Sequence, residues 1–480
     1  MNPGNLLFIL SDQHTRDITG CYGHPVVRTP NIDSLARRGT RFSSAYTNCP
    51  ICVPARASLA TGRYVHQTGN WDNAFAYDGS VPSWGYRLRE QGFHVASIGK
   101  LHFRATEDDN GFSQEIDPLH VVDGVGDILS CIRGNPPFRD KRSAILSAGP
   151  GDSTYLQYDV SNADRACAWL AEHRDDEKPW VLFLSFVCPH PPYIAPPELF
   201  ESYPPESLPL PAQWHSDDWP DHPAIRRFRR FFHYDRGFSE SELRNVTAAY
   251  YGACTHLDRQ IGRVLNALDI HKLAGMTRIL YTSDHGESLG ARGLFGKFTM
   301  YEEAASVPLI LAGPDVPQGR AAQTPVSLVD CFPTVLECAG ATREGTRLPG
   351  RSLWQIARNA DENRTVFSEY HAVGSRNAAY MLRDRTWKYI YYVDEPPQLF
   401  NLDSDPTETT DLSGFPDHQS TLASFERRLR DILDPEATDA RAKADQLAKI
   451  ASFGGEAAVR NRGAFDNSPV PGEAPAFRVH

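Results

Sequence analysis

The sequence predicts an α/β protein in which a large, mixed but mostly parallel sheet is sandwiched by helices, followed by a smaller C-terminal α+β domain and an extended tail. Three observations lead there. Over the first two-thirds of the chain, short apolar runs bounded by turn residues alternate with helical patterns, the mark of strand-helix-strand units. After Leu348-Pro349-Gly350-Arg351 the pattern changes to short segments at hairpin spacing. From Asp434 a charged helical stretch gives way to an end rich in Gly, Pro and Asn. The expected boundaries are 1–350, 351–434 and 435–480.

In chain order, the first domain has apolar runs of strand length at Leu6–Leu10, Val95–Ile98, Val181–Phe186, Ile279–Thr282 and Pro308–Leu311. Between them lie helical patterns at Asn31–Arg38, Trp84–Gln91, Asn162–His173 and from about Glu242 to Leu268, the last preceded by Ser239 and Glu242 at capping-box spacing. The insert Glu198–Phe232, crowded with Pro, Trp, His and Arg, reads as a long functional loop near the site. The second domain has strand-like segments at Thr365–Glu369, Ala379–Arg383, Lys388–Tyr392 and Gln398–Leu402, with a helix at Ser420–Leu433 against them. A further helix at Ala437–Ile450 precedes the tail, which is expected to be disordered or ordered only by lying on another subunit. There is no internal repeat.

Composition narrows the function. The 480 residues suffice for one large domain or two to three smaller ones, and a make-up of 41% hydrophobic and 23% charged residues is that of a globular protein. A formal charge of −11 without a basic block argues against a nucleic-acid partner. The amino terminus enters the run Leu6–Leu10 without the pattern of a signal peptide, and no apolar stretch approaches the ~20 residues of a membrane span. A soluble protein is expected. Nine cysteines, an odd number scattered along the chain, point to a reducing and hence cytoplasmic setting.

In open α/β sheets ligands bind beyond the carboxyl ends of strands, so polar residues just after strands are the candidates for chemistry. Ser11-Asp12-Gln13 and Ser283-Asp284-His285-Gly286-Glu287 are two such groups. Together they offer two carboxylates, an amide oxygen and an imidazole, a mixed donor set for a divalent cation. Gly99-Lys100-Leu101-His102 and Pro189-His190-Pro191 follow two other strands, and Gly296-Lys297 lies beyond His285. Most specific is Cys52-Val53-Pro54-Ala55-Arg56-Ala57-Ser58-Leu59-Ala60-Thr61-Gly62, a cysteine at a predicted helix start, where unpaired N–H groups favour negative charge.

That stretch resembles the signature of the sulfatases, Cys-x-Pro-x-Arg, a small residue, Ser-Leu-x-Thr-Gly. The resemblance extends from Asn5 to the closing motif Leu399-Phe400-Asn401-Leu402-Asp403-Ser404-Asp405-Pro406-Thr407-Glu408. It implies that Cys52 is converted to formylglycine by a formylglycine-generating enzyme. The hydrated aldehyde is then the nucleophile, supported by Arg56, and re-forms by expelling sulfate once its second oxygen loses a proton. It also implies metal ligation by Asp12, Gln13, Asp284 and His285 with the matured Cys52. Lys100 and Lys297 are implied to bind sulfate oxygens, His102 to accept the proton, and His190 with Lys297 to assist the leaving oxygen.

Asp-Gln and Asp-His, where many members have Asp-Asp and Asp-Asn, resemble the choline sulfatase and phosphonate monoester hydrolase branch. The imidazole moves the expected metal from calcium towards manganese, with magnesium a further candidate. In that branch Asn73 corresponds to a sulfate-contacting asparagine. The tail Leu433-Asp434-Pro435-Glu436-Ala437 through Gln446 resembles a choline sulfatase extension that crosses to a neighbouring subunit, implying a homodimer or homotetramer.

Choline itself is less well matched. A glutamate of that branch is replaced in His371-Ala372-Val373-Gly374, and Asp117–Arg133 lacks the branch's tryptophan, although Asp466 aligns with an acidic tail residue. The expected activity is hydrolysis of a small alkyl or aryl sulfate monoester, choline-O-sulfate among the candidates. The alternative is a phosphonate monoester or phosphodiester hydrolase using the same formylglycine and metal site. The pair Lys100 and His102, absent from the phosphonate hydrolases that the chain resembles, favours the sulfatase. Glu287 and Arg292 carry no expected role beyond turn or supporting contacts.

Overall fold

The structure is a computed structural model that describes residues 4–342 and 348–478. The first three residues of the amino terminus and the last two of the tail lie outside the described residues. The main sheet has eight strands: β1 (Asn5–Asp12), β2 (Gly39–Phe42), β3 (His94–Lys100), β4 (Gln114–Leu119), β5 (Trp180–Pro189), β6 (Thr277–Ser283), β7 (Leu309–Ala312) and β8 (Arg320–Ala322). Their order is β8-β2-β7-β6-β1-β5-β3-β4. All neighbours pair in parallel except those of β7, which runs antiparallel to both β6 and β2.

Burial on both faces explains why β1 reads as an unbroken apolar run. Leu6, Phe8 and Leu10 enter one hydrophobic cluster with the helices Trp84–Glu90 and Cys331–Ala339. Leu7 and Ile9 enter the other, with the helices Pro30–Arg38, Thr154–Glu172 and Glu240–Ile270. Period-two alternation sends successive side chains to opposite faces, and a doubly covered sheet makes both sets apolar. The 31-residue Glu240–Ile270 helix starts at the expected capping box: Ser239 Oγ accepts from Glu242 N, and Glu242 Oε2 accepts from Ser239 N at 2.7 Å.

The five predicted strands are present, and three more join them. β2 and β8 are too short to stand out, and β4 (Gln-Glu-Ile-Asp-Pro-Leu) is a polar edge strand carrying proline, which a central strand would exclude. The helix predicted from Asn162 begins earlier, at Thr154, where Ser153 Oγ accepts from Leu156 N. The insert is only partly a loop: it contains the helix Pro223–Phe231.

The second sheet is antiparallel, β9 (Val366–Tyr370), β10 (Ala379–Arg383), β11 (Trp387–Tyr392) and β12 (Glu395–Asn401), in that order. One face packs on the helix Gln419–Ile432 through Phe367, Leu382, Tyr389, Phe425 and Leu429. The other sends Val366, Met381, Ile390 and Phe400 into a cluster shared with Phe228, Tyr250 and Tyr301. A buried ion network ties the sheet to the rest: Lys388 Nζ lies 2.7 Å from Glu302 and 2.7 Å from Glu408, and Glu408 Oε2 accepts from Glu302 N. Arg292, stacked on Tyr301, pairs with Glu303 and donates to the Thr407 carbonyl. Glu408 and Thr407 belong to the closing motif, so this end of it serves packing rather than chemistry.

The tail departs from expectation. After the helices Pro435–Ser452 and Glu456–Arg462, residues 464–478 fold back on their own subunit, with Ala464 and Arg478 exchanging both backbone hydrogen bonds of an antiparallel bridge. Phe465 meets Phe477 edge-on, and Val470 packs against Leu119, Tyr155, Tyr158 and Val187. These contacts supply the apolar burial that the composition of the tail does not suggest. In the structure the segment is ordered against its own subunit.

Candidate active site

The site forms where β1, β3, β5 and β6 end, as the strand-end rule for α/β sheets requires. Both β1 and β3 depart from regular pairing in their last residues, between Leu10 and Asp12 and between Ile98 and Lys100. At Gly99 φ is 92°, and an added Cβ would come within 2.2 Å of the Ser185 carbonyl oxygen. Only glycine lets β3 turn there and present Lys100. Gln13 (φ 67°) and His102 (φ 57°) also hold the left-handed conformation that costs a non-glycine residue on the order of 1 kcal/mol or more.

Cys52 opens the helix Cys52–Thr61 and is 1% exposed. No side chain at the helix's own N-cap satisfies its first N–H groups; the Asn73 amide oxygen accepts from Val53 N at 3.2 Å instead. One turn on, Arg56 points back beneath the cysteine. Its Nε donates to Asp284 Oδ2 (2.8 Å), Nη2 to Asp12 Oδ2 (3.1 Å), and Nη1 to the Lys100 carbonyl (2.7 Å) and Ser185 Oγ (3.0 Å). This guanidinium thereby ties β1, β3, β5 and β6 together.

Around Cys52 Sγ stand Lys297 Nζ at 2.9 Å and His285 Nε2 at 3.2 Å. Lys100 Nζ pairs with Asp12 Oδ2 at 2.6 Å, and Lys297 Nζ also donates to Gln13 Oε1 at 2.9 Å. Although burial raises the Asp12 pKa, the cations Lys100, Arg56 and Lys297 outweigh it and hold the carboxyl ionised, well below its usual range. Burial, against the opposing pull of Asp284, lowers His285 to about 4, so it is neutral near pH 7. His285 Nδ1 donates to the Gly286 carbonyl at 3.1 Å, which leaves the Nε2 lone pair facing Asp284 Oδ1 (3.5 Å) and Asp12 Oδ1 (3.7 Å). Ligand atoms of Asp12, Cys52, Asp284 and His285 all lie within 4.8 Å of one another. Two ionised or ionisable carboxyls and a neutral imidazole lone pair converging in this way, with Gln13 beside them, fit a divalent cation.

All eleven residues singled out in the sequence come together. Cys52, Gln13, Asn73, Lys100, His102, His190 and Lys297 line one cavity of about 480 Å³, and Asp12, Arg56, Asp284 and His285 lie directly beneath it. Burial first, then Lys297, pushes His190 well below its ordinary pKa; burial, Lys100 and Arg56 do the same to His102. Both imidazoles are neutral in the free site. His190 Nδ1 donates to the Pro191 carbonyl at 2.8 Å, so Nε2 is its proton-exchanging nitrogen. The outer wall is aromatic, with Phe232, Tyr234, Phe295 and Phe298 beside Ile145 and Val373; Phe232 and Phe298 are stacked 4.8 Å apart. Two carboxylates at this wall are engaged, Asp127 by Arg139 (2.6 and 2.9 Å) and Asp466 by Lys141 (2.6 Å). The insert thus meets the cavity only at its end, Phe232.

Glu287 has a larger part than its place in the sequence suggests. One carboxylate oxygen accepts from Gln13 Nε2 and from the Tyr193 hydroxyl (2.7 Å), the other from the backbone N–H of Leu289 and Gly296 (2.7 Å each). It orients Gln13 and anchors the loop that carries Lys297. In Glu287→Gln, the new NH2 group must oppose two donors wherever it points. Divalent-cation affinity measured by calorimetry is expected to fall about 10- to 100-fold, as for other groups that orient ligands; unchanged affinity would remove this role. The signal was available, since Glu287 closes the group Asp284-His285-Gly286-Glu287, but no spacing rule names its partner Tyr193. Ser468 and Tyr155, which also reach the site, have no local signal at all.

A family profile described as Sulfatase matches residues 4–341, and one described as N-sulphoglucosamine sulphohydrolase, C-terminal, matches residues 290–434. A choline-sulfatase of Rhizobium meliloti (strain 1021) is 31% identical over 473 residues, covering 92% of this chain and 89% of that protein. Arylsulfatase K of Homo sapiens is 29% identical over 459 residues, covering 90% and 82%. Among solved structures, a phosphonate monoester hydrolase from Silicibacter pomeroyi superposes with TM-score 0.73 at 24% identity, covering 89% of this chain and 94% of that one. A 2-O GAG sulfatase superposes with TM-score 0.72 at 23% identity, covering 98% and 99%. At these identities the two structures establish a shared fold.

Proposed function

The chain belongs to the sulfatase family and is a sulfuric ester hydrolase, and from that premise we propose that it cleaves a small sulfate monoester, an aryl sulfate in preference to choline-O-sulfate, with matured Cys52 as nucleophile. The observation that carries the reading is the convergence of Lys297, Lys100 and two neutral imidazoles on the buried Cys52 beneath an aromatic-walled cavity.

Formylglycine, made from Cys52 by a partner enzyme, supplies a hydrated-aldehyde oxygen as nucleophile where Sγ now stands. Asp12, Gln13, Asp284 and His285 would hold a divalent cation, manganese or calcium, which when bound acidifies the nucleophile and opposes charge on the sulfate oxygens. The imidazole in an otherwise oxygen-rich set favours manganese. Lys297, kept charged against burial by Asp12 and Asp284, and Lys100 on the Asp12 side donate to the sulfate oxygens. His102 accepts the proton whose loss from the second oxygen of the hydrated aldehyde lets sulfate depart. His190 is neutral in the free site, but the negative charge of a bound sulfate ester offsets Lys297 and raises its proton affinity, so Nε2 can protonate the departing oxygen.

The preference for an aryl group follows from the outer wall. Aromatic faces attract a quaternary ammonium, but Arg139 and Lys141 bring positive charge to this wall and already engage its carboxylates Asp127 and Asp466. A flat apolar leaving group finds the Phe232–Phe298 stack instead. A cytoplasmic setting belongs to the same reading, supported by nine unpaired cysteines. Among the described residues no helix is long and apolar enough to cross a membrane. Assembly through the tail keeps only the support of the resemblance, because the tail is ordered on its own subunit.

The test is a comparison of initial rates for an aryl sulfate, choline-O-sulfate and an aryl phosphonate, on manganese-loaded enzyme whose Cys52 maturation is verified by mass spectrometry. The aryl sulfate should lead in kcat/KM. A lead for choline-O-sulfate would overturn the leaving-group assignment, and a lead for the phosphonate by orders of magnitude would overturn the roles of Lys100 and His102.

A further inference from the structure

We propose that Ser468, brought back to the active site by the carboxyl-terminal segment of the same chain, is a positioning residue for His102. The proposal rests on the reading of His102 as the proton acceptor.

His102 Nε2 lies 2.8 Å from Ser468 Oγ, whereas His102 Nδ1 is buried without a hydrogen-bond partner. A neutral imidazole carries one N–H and one lone pair, and which nitrogen holds the proton is decided by the bond the other makes. A hydroxyl can accept from Nε2–H or donate to a lone pair there; we assign the first, because it leaves the partnerless Nδ1 as a lone pair rather than as a buried unpaired N–H, and Nδ1 is then the ring nitrogen left to exchange a proton. The backbone does not fix the ring by itself. His102 sits in the left-handed conformation just past the end of β3, with its N–H bonded to the Leu119 carbonyl.

Ser468 is itself held from several sides and is 7% exposed. The Tyr155 hydroxyl donates to its carbonyl oxygen, and the Tyr155 and His190 rings meet in a T-shaped pair with centroids 6.0 Å apart, so one side chain contacts both the tail and the second imidazole. Two residues earlier, Asp466 pairs with Lys141 (2.6 Å) and Arg478 (2.9 Å), and the bridge from Ala464 to Arg478 closes the segment. An element held this firmly costs little further entropy when it orders the imidazole. Without it, the ring can adopt either tautomer and a wider range of orientations, and fewer molecules are poised for the transfer.

The experiment uses the full chain, metal-loaded and with matured Cys52, and compares wild type with Ser468→Ala and Ser468→Thr on an aryl sulfate. In Ser468→Ala, kcat should fall about 10- to 100-fold, the range for groups that orient a catalytic residue. KM should stay within about twofold, and Ser468→Thr, which keeps the hydroxyl, should recover most of kcat. A readout independent of turnover is the ¹⁵N spectrum of the His102 ring in histidine-labelled protein: a single Nε2–H tautomer in wild type and Ser468→Thr, a mixture in Ser468→Ala. An unchanged kcat in Ser468→Ala, a rise in KM alone, or equal losses in both variants would overturn the proposal. If wild type hydrolyses none of the sulfate esters, the functional reading fails, while the ring spectrum still decides whether Ser468 sets the tautomer.

Discussion

Cys52→Ala is expected to lower kcat/KM for any sulfate ester by at least about 10⁴-fold, the scale seen when a nucleophile is removed from an otherwise intact site. The rest of the machinery stays. Lys100, Lys297, His102 and His190 are held by partners other than the thiol: Lys100 by Asp12, Lys297 by Gln13, His190 by the Pro191 carbonyl, and His102 by Ser468. Substrate should therefore still bind, with a dissociation constant close to the wild-type KM where chemistry limits turnover. Shortening that one small side chain at a helix start should cost at most about 1–2 kcal/mol of stability. Steady-state rates, ligand titration and chemical denaturation of the one variant check all three statements. Turnover within tenfold of wild type would sink the assignment of Cys52 as nucleophile.

Arg56→Ala should do the most damage to stability. The guanidinium is 2% exposed and touches Asp12, Asp284, Ser185 and the Lys100 carbonyl. Its loss leaves Asp284 Oδ2 without its buried donor and Asp12 with Lys100 as its remaining ion-pair partner at the site. Breaking a buried pair by removing one member costs about 3–5 kcal/mol, because the remaining charge stays desolvated. The sign of the metal effect follows. A divalent cation on the same carboxylates supplies part of the missing positive charge, so saturating manganese should stabilise Arg56→Ala more than wild type. Urea denaturation with chelator and with excess manganese measures both quantities. A chelated variant within about 1 kcal/mol of wild type would show that the network is relieved by water or by proton uptake instead.

Legibility in the sequence tracked how local the cause was. β1 was readable because Leu6–Leu10 is apolar on both faces, and the Glu240–Ile270 helix because Ser239 and Glu242 form its cap within four residues. β4 was not, because a sheet edge tolerates Gln, Glu, Asp and Pro that a propensity reading rejects. The tail was misread for the opposite reason: its composition is that of a solvated end, and only contacts with Tyr155, Leu119 and Lys141, more than three hundred residues earlier, give it a place to fold.

The same division runs through the active site. Residue types, their places after strands and the resemblance to the sulfatases were enough, without any coordinates, to single out the eleven side chains that the structure brings together, because a parallel sheet gathers the ends of its strands whatever the rest of the chain does. What the tertiary structure alone decided is how those side chains are held: Arg56 reaching four strands, Glu287 facing Tyr193, and Ser468 returning to His102. Each is a contact between segments far apart in the chain. Such contacts are chosen by packing and by the need to pair every buried charge, and neither leaves a periodic trace in the sequence.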